Sequence, residues 1–154
     1  KFAGDISPPI RVEYRTMKKI VLPFQGLDVI AFGMKMSEVQ TMVGIAESSV
    51  RNRHLKQELV AGDRINYIFE QGILVTIELR YQDDVWFNDV DVFNTRELET
   101  LFPGQKIERR REAMHIKELG VILLSFHRQN LAKRELWFYS KQMIPEFETF
   151  LDVV

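Results

Sequence analysis

The sequence contains no cysteine among its 154 residues. Disulfides, thiol nucleophiles and zinc–thiolate centres are therefore excluded. Glycine and proline are also sparse, at 8 and 5 copies, which argues against disorder and against a loop-dominated fold. A chain of this length is expected to form one domain and to bury about 70% of the surface that its unfolded form exposes, so it needs no metal to fold.

Long apolar runs and an excess of one charge are missing as well. The run Val121–Leu124 is far too short to span a bilayer, and the N-terminal residues contain no apolar signal core. The 21 basic and 22 acidic residues nearly cancel, whereas nucleic-acid-binding domains usually carry a basic excess. We therefore expect a soluble, cytoplasmic protein that binds neither membranes nor nucleic acids.

Recognisable catalytic and cofactor motifs are absent from the sequence. It has no P-loop, no Gly-x-Gly-x-x-Gly and no Gly-x-Ser-x-Gly elbow. The three histidines, His54, His115 and His127, are scattered and lack the spacing of metal ligands. The sequence therefore favours a protein that is not an enzyme and uses no cofactor or metal.

What the sequence does contain is alternation of apolar and polar residues, which is typical of strands. The pattern predicts a strand over residues 10–15, a three-stranded meander over 65–93 with a turn at Gln71-Gly72, and a second meander over 113–140. Short amphipathic helices are predicted after Ser37, after Asn94 or Thr95, and after Pro145. Together these elements predict an α+β fold, in which the helices pack on one face of an antiparallel sheet.

Three short segments have a common pattern of acid, apolar residue, acid or amide, threonine and two apolar residues. They begin at Glu38, Glu97 and Glu146. The pattern predicts repeated strand–strand–strand–helix units at about 10–44, 64–104 and 113–154 within one domain. Short amphipathic helices also resemble one another by chance, which is the alternative explanation.

The densest group of acidic residues lies on the predicted strand over residues 85–93. Period-two geometry places Phe87, Asp89 and Asp91 on one face of that strand, as an aromatic contact flanked by carboxylates. The acidic pair could alternatively hold a cation or act in acid–base chemistry. In the second meander, Trp137 and Tyr139 share a face and form the second predicted binding patch. A basic connector, Lys106 with residues 109–111, is interpreted as a solvated loop.

Residues 32–44, FGMKMSEVQTMVG, combine Gly-Met, a Glu-Val pair in the helix and a terminal glycine. This segment resembles the helix of tandem-repeat β-lactamase-inhibitor proteins and outer-membrane assembly lipoproteins, and is similar to segments of bacterial immunity proteins. The chain departs from these families in lacking the lipid-anchor cysteine and the inhibitors' disulfides. The resemblance implies a protein-binding sheet surface without catalysis, and it transfers no functional residue.

The sequence thus predicts a non-enzymatic protein-binding domain, such as an immunity or inhibitor protein that blocks a toxin or an enzyme. The alternative is a small-ligand-binding or regulatory domain with a pocket between sheet and helices. An exposed sheet edge could also pair with a second copy, so the sequence allows a homodimer.

Overall fold

The computed structural model describes residues 18–96, 101–127 and 130–153. The strand predicted over residues 10–15 and most of the helix predicted after Thr95 lie outside these ranges. Within them, no helix is long and apolar enough to cross a bilayer.

The larger of two sheets has eight strands, and every neighbouring pair in it is antiparallel. The strands are β4 (Ser49–Asn52), β5 (Gln57–Ala61), β6 (Ile65–Glu70), β7 (Ile73–Arg80), β10 (Glu108–Arg110), β11 (Ala113–Ile116), β12 (Val121–Leu124) and β13 (Glu135–Tyr139). Their spatial order is β10-β11-β12-β13-β7-β6-β5-β4.

The smaller sheet has five short strands. They are β1 (Lys19–Leu22), β2 (Gly26–Leu27), β3 (Ile30–Ala31), β8 (Val85–Phe87) and β9 (Val90–Asp91). Their spatial order is β3-β2-β1-β8-β9, in which β1 and β8 run parallel and the other neighbours are antiparallel.

Helices are few and short in the described ranges. They are α1 (Met36–Val43), α2 (Ile144–Phe147) and α3 (Phe150–Val153), with 3₁₀ turns at Val92–Asn94, Leu131–Lys133 and Lys141–Met143. α1 ends at Gly44, which adopts φ 74°, a left-handed conformation that glycine takes at little cost. The carboxylate of Glu38 accepts a hydrogen bond from the Lys35 backbone N–H at the start of this helix.

The prediction of an α+β fold, with helices on one sheet face, is wrong, because the described part of the chain is mostly β, with 41% of its residues in strands. Residues 51–58, whose sequence is compatible with a helix, instead contribute to the β4–β5 hairpin. The main core also lies between two sheets, and α1 adds Val39 and Val43 to it. Side chains from the large sheet, such as Ile77 and Phe138, meet Leu27 and Val85 of the small sheet there.

The repeated strand–strand–strand–helix unit is also wrong. β6 and β7 form the predicted hairpin around Gln71-Gly72, and β11, β12 and β13 form the predicted second meander. β8, however, leaves β7 and pairs with β1 in the small sheet. The two meanders are therefore not equivalent, and similar helix sequences do not reflect similar units.

Candidate functional site

The predicted acidic strand is interrupted by a tight turn. Asn88 and Asp89 both have positive φ, 52° and 60°, and together join β8 to β9. Asn and Asp tolerate this left-handed geometry, and a two-residue turn of this type matches the twist of a hairpin. Residues 85–93 therefore form a hairpin instead of one strand, and Asp89 and Asp91 do not share a strand face.

This hairpin does not present the predicted aromatic contact. Phe87 is only 8% exposed and packs on Phe102, with ring centroids 5.4 Å apart. Asp89 is exposed in the turn, whereas Asp91 is half-buried and accepts a hydrogen bond from the Asn94 side chain at 2.9 Å. The Phe87 ring is part of the core, so it is not exposed for contact with a partner.

Trp137 and Tyr139 do share one face of β13, as predicted, but the C-terminal turns cover Tyr139. Its ring stacks on Phe147 with centroids 4.4 Å apart and an interplanar angle of 8°. Trp137 is half-buried and meets the edge of Phe150 at 5.8 Å. The second predicted patch is therefore not an open surface, because the C-terminal residues cover it.

That site is a groove between the second face of the large sheet and the C-terminal residues 141–153. Its cavity measures about 380 Å³, which is within the usual range for small-molecule sites. An aromatic and thioether wall borders it, made of Trp137, Met143, Phe147 and Phe150. We call this cavity the groove.

The floor of the groove is polar. Glu78, on β7, is 8% exposed and receives two hydrogen bonds from the Arg51 guanidinium, at 3.1 and 2.6 Å. Two strands lie between β4 and β7, so a flat sheet would separate them by about 14 Å, beyond the reach of one arginine. The large sheet must therefore curl at this end, and a bulge between Val50 and Asn52 contributes to the bend.

A second polar cluster lies at the same end of the groove. Gln57 donates from Nε2 to the Glu70 carboxylate at 3.0 Å. Glu146, on α2, lines the groove and is exposed to solvent. Burial, followed by the nearby Glu70 carboxylate, raises the pKa of Glu146 above its ordinary value. The groove lining thus includes Gln57 and Glu146, a carboxyl group with a raised pKa.

One buried hydroxyl in the groove has no partner. Thr76, on β7, is only 3% exposed, and its Oγ1 makes no hydrogen bond. It lies opposite Ile68 on β6 and Tyr139 on β13, in the middle of the groove floor. Buried polar groups normally find partners, so a hydroxyl without one in this strand is unusual.

His115 and Tyr139 form a buried pair beside the groove. The His115 Nε2 lies 2.7 Å from the Tyr139 hydroxyl, and the His115 Nδ1 is buried without a partner. Burial lowers the pKa of His115 and, with a smaller effect of Glu148, raises the pKa of Tyr139 to about 12. The pair is therefore neutral at pH 7, and its hydrogen bond joins β11 to β13.

A second cavity, of about 340 Å³, has a lining that shares no residue with the groove. Charged side chains such as Lys19, Asp63 and Arg64 line it together with Tyr67. None of the partnerless buried side-chain atoms found in the described ranges belongs to this lining. We therefore favour the groove as the candidate site. Across the same ranges, no cluster of three His, Asp or Glu side chains has the arrangement of a metal site.

Most groove residues were not predicted from the sequence, although the sequence contains a signal for two of them. Thr76 and Glu78 fall two apart in strand β7, which is apolar apart from these two residues and its last residue Arg80, so both face the same side of the sheet. Comparison of the chain with protein-family models, curated proteins and solved structures gives no significant match. The resemblance to inhibitor and immunity proteins therefore stays a prediction.

Proposed function

We propose that this protein is a non-enzymatic ligand-binding domain, and that a small amphipathic ligand occupies the groove. The observation that carries the proposal is the partnerless Thr76 Oγ1 in the floor of a cavity of about 380 Å³. The lining combines polar side chains with apolar and aromatic ones, which suits a ligand that is itself amphipathic. This is the alternative function that the sequence predicts.

A buried polar group without a partner in the groove destabilises the protein when no ligand is bound. A buried polar group without a partner costs about 1–3 kcal/mol, and valine would fill almost the same volume without that cost. A ligand that donates to or accepts from the Thr76 hydroxyl would offset the cost. Apolar parts of the ligand would contact Trp137, Phe147 and Phe150, which border the same cavity.

Trp137 offers a direct test, because the chain has two tryptophans and the other, Trp86, lies on β8 outside the groove lining. In a Trp86→Phe background, fluorescence would report on the groove alone. We expect members of a panel of small aromatic and aliphatic compounds to change the Trp137 emission saturably and to raise the melting temperature.

Occupying the groove with a side chain provides the control. Thr149 lines the cavity, and Thr41 is exposed on α1 outside it. Thr149→Phe should weaken binding at least tenfold, whereas Thr41→Phe should leave it unchanged. If no compound in the panel gives a saturable response, or if both variants bind like the parent, ligand binding in the groove is wrong.

Binding to a partner protein, such as the toxin or enzyme that the sequence predicts, is the second candidate, and edge strand β4 favours it. All four residues of β4 are exposed, with Val50 at 56%, and β4 forms one edge of the large sheet. An open edge can receive another strand through backbone hydrogen bonds. A second copy of the chain could pair there too, giving the homodimer that the sequence allows.

A matched pair of variants tests this candidate. Val50→Lys changes the β4 edge, and Val29→Lys changes an equally exposed valine, at 58%, in the turn between β2 and β3. We expect a partner captured from the native host, or self-association in sedimentation, to be lost with Val50→Lys alone. Loss with both variants, or with neither, would argue against the edge.

The cytoplasmic location also stays a prediction, which fractionation of the host would test.

A further inference from the structure

Lys19, on β1, is a charged residue at a core-facing position of the small sheet. It is only 7% exposed. Alternation along β1 places it on the same face as Val21, and the residue opposite it on β8 is Val85. Both valines are buried in the main core. The Lys19 side chain therefore points between the two sheets, whereas the exposed Ile20 points away from them.

The Lys19 ammonium group has no counter-ion in the described part of the chain. None of the ion pairs found there includes Lys19, and no described residue accepts a hydrogen bond from its Nζ. Lysine is almost never this buried without a partner, because a buried charge that lacks one is unfavourable. The Nζ is also not among the fully buried atoms without a partner, so it keeps some solvent access.

That access is to the second cavity, of about 340 Å³, which Lys19 lines. This volume is within the usual range for small-molecule sites. Val43, at the end of α1, and Ile45 and Ile65 give the cavity an apolar side, and Tyr67 borders it on β6. The cavity thus offers one interior positive charge beside aliphatic side chains.

Three other charged side chains line the same cavity: Asp63, Arg64 and Asp83. All three are exposed, whereas Lys19 is buried. No two of the four form an ion pair with each other, and Asp83 accepts a hydrogen bond from the neutral Asn94 side chain at 3.1 Å. The lining therefore has its positive charge inside and a net negative charge at the surface.

We propose that this cavity is a second binding site, for a small zwitterion of the aliphatic amino acid class. Its carboxylate pairs with the buried Lys19, its ammonium group lies toward Asp63 and Asp83, and its side chain contacts Val43 and Ile45. A ligand with only a positive charge would leave Lys19 without a counter-ion. A ligand with only a negative charge would gain nothing from the two carboxylates. The site is separate from the groove, so the two proposals stand or fall independently.

Leucine and two analogues of nearly equal size test the proposal: isocaproate, which lacks the ammonium group, and isoamylamine, which lacks the carboxylate. Isothermal titration calorimetry measures the affinity of each. We expect leucine to bind at least tenfold more tightly than isocaproate, and isoamylamine to bind most weakly. Lys19→Met removes the charge and keeps an unbranched side chain, so it should weaken leucine binding at least tenfold.

The matched control is Lys18→Met, because Lys18 is exposed and lies over the Trp86 ring, 4.2 Å from its centroid, on the other face of the small sheet. That variant should bind leucine like the parent. In urea unfolding, Lys19→Met should be at least as stable as the parent, because it replaces a buried charge that has no partner.

Four binding results would overturn the proposal: no binding of leucine, equal affinity for leucine and either analogue, an unchanged leucine affinity in Lys19→Met, or an equal loss in both variants. A large loss of stability in Lys19→Met would also overturn it, because the ammonium group would then have a structural partner. None of these results bears on the groove, which Thr149→Phe tests.

Discussion

The two faces of the large sheet have opposite characters. The face toward the small sheet contributes mainly apolar side chains to the main core, including Ile77, Leu79 and Phe138. The face toward the C-terminal residues has a small apolar cluster, yet it buries Gln57, Thr76, Glu78 and His115. Three of those four line the groove.

The contrast separates stability from binding within one sheet. Apolar burial between two sheets is the main source of folding free energy. Buried polar groups contribute less, and partnerless ones are unfavourable. Such groups are therefore expected where they serve a ligand rather than the fold, which is the pattern of the groove face.

The largest expected difference is between truncations on the two faces. Phe138 is fully buried toward the small sheet, and Phe150 is half-buried beside the groove. Phe138→Ala should lower the free energy of unfolding by about 3–5 kcal/mol, because it leaves a cavity in a packed core. Phe150→Ala should cost less than about half as much. Urea unfolding measures both, and equal losses would contradict the assigned division between the faces.

Removal of the Tyr139 hydroxyl should give an intermediate effect. Tyr139→Phe keeps the stacked ring but leaves the buried Nε2 of His115 without its partner at 2.7 Å. A buried group deprived of its partner costs about 1–3 kcal/mol. Thermal or urea unfolding at pH 7 measures the loss. Full native stability in this variant would show that the hydrogen bond contributes nothing to the fold.

His115 should also make stability depend on pH. Burial, with a smaller effect of Lys117, lowers its pKa in the folded state below 6.5, while Glu108 and Glu148 act in the opposite direction. The unfolded chain therefore binds the proton first on acidification, and stability should fall as the pH drops below about 6.5. His115→Gln should remove this part of the pH dependence. His54→Gln, at an exposed position, should retain it.

The smallest effect on stability is expected at Thr76. Thr76→Val replaces a partnerless hydroxyl with a methyl group of similar size, so stability should change by less than about 1 kcal/mol or rise. The same variant should weaken binding of a ligand that uses the hydroxyl. A substantial loss of stability would show that Thr76 has a structural partner and would remove the main support for the groove.

The sequence predicts local pairing well and long-range pairing poorly. The β6–β7 hairpin follows from Gln71-Gly72, both of which adopt positive φ, at 53° and 80°. Gly44 likewise marks the end of α1. The parallel pairing of β1 with β8 has no local signal, because it joins segments far apart in the chain. The error in fold class follows from that pairing, since it creates the second sheet.

The groove, too, could be predicted only where its residues are close together in the sequence. Sequence alternation places Trp137 and Tyr139 on one face of β13, but it cannot show that residues 141–153 lie over them. The Arg51–Glu78 pair depends on the curl of four strands, which no single segment encodes. Phe87 and Asp91 were separated by the Asn88-Asp89 turn, whose residue types are a local signal that the alternating pattern obscured.

The most direct test of the central claim compares the two faces in one experiment. Methyl NMR would follow Ile68, Thr76 and Met143 in the groove lining, and Ile77, Val121 and Leu123 in the main core, during titration with the panel compound that changes the Trp137 emission most. The account predicts saturable shift changes for the first three methyl-bearing residues and none for the other three. Changes confined to the main core, changes of equal size on both faces, or no change at any groove methyl would contradict it.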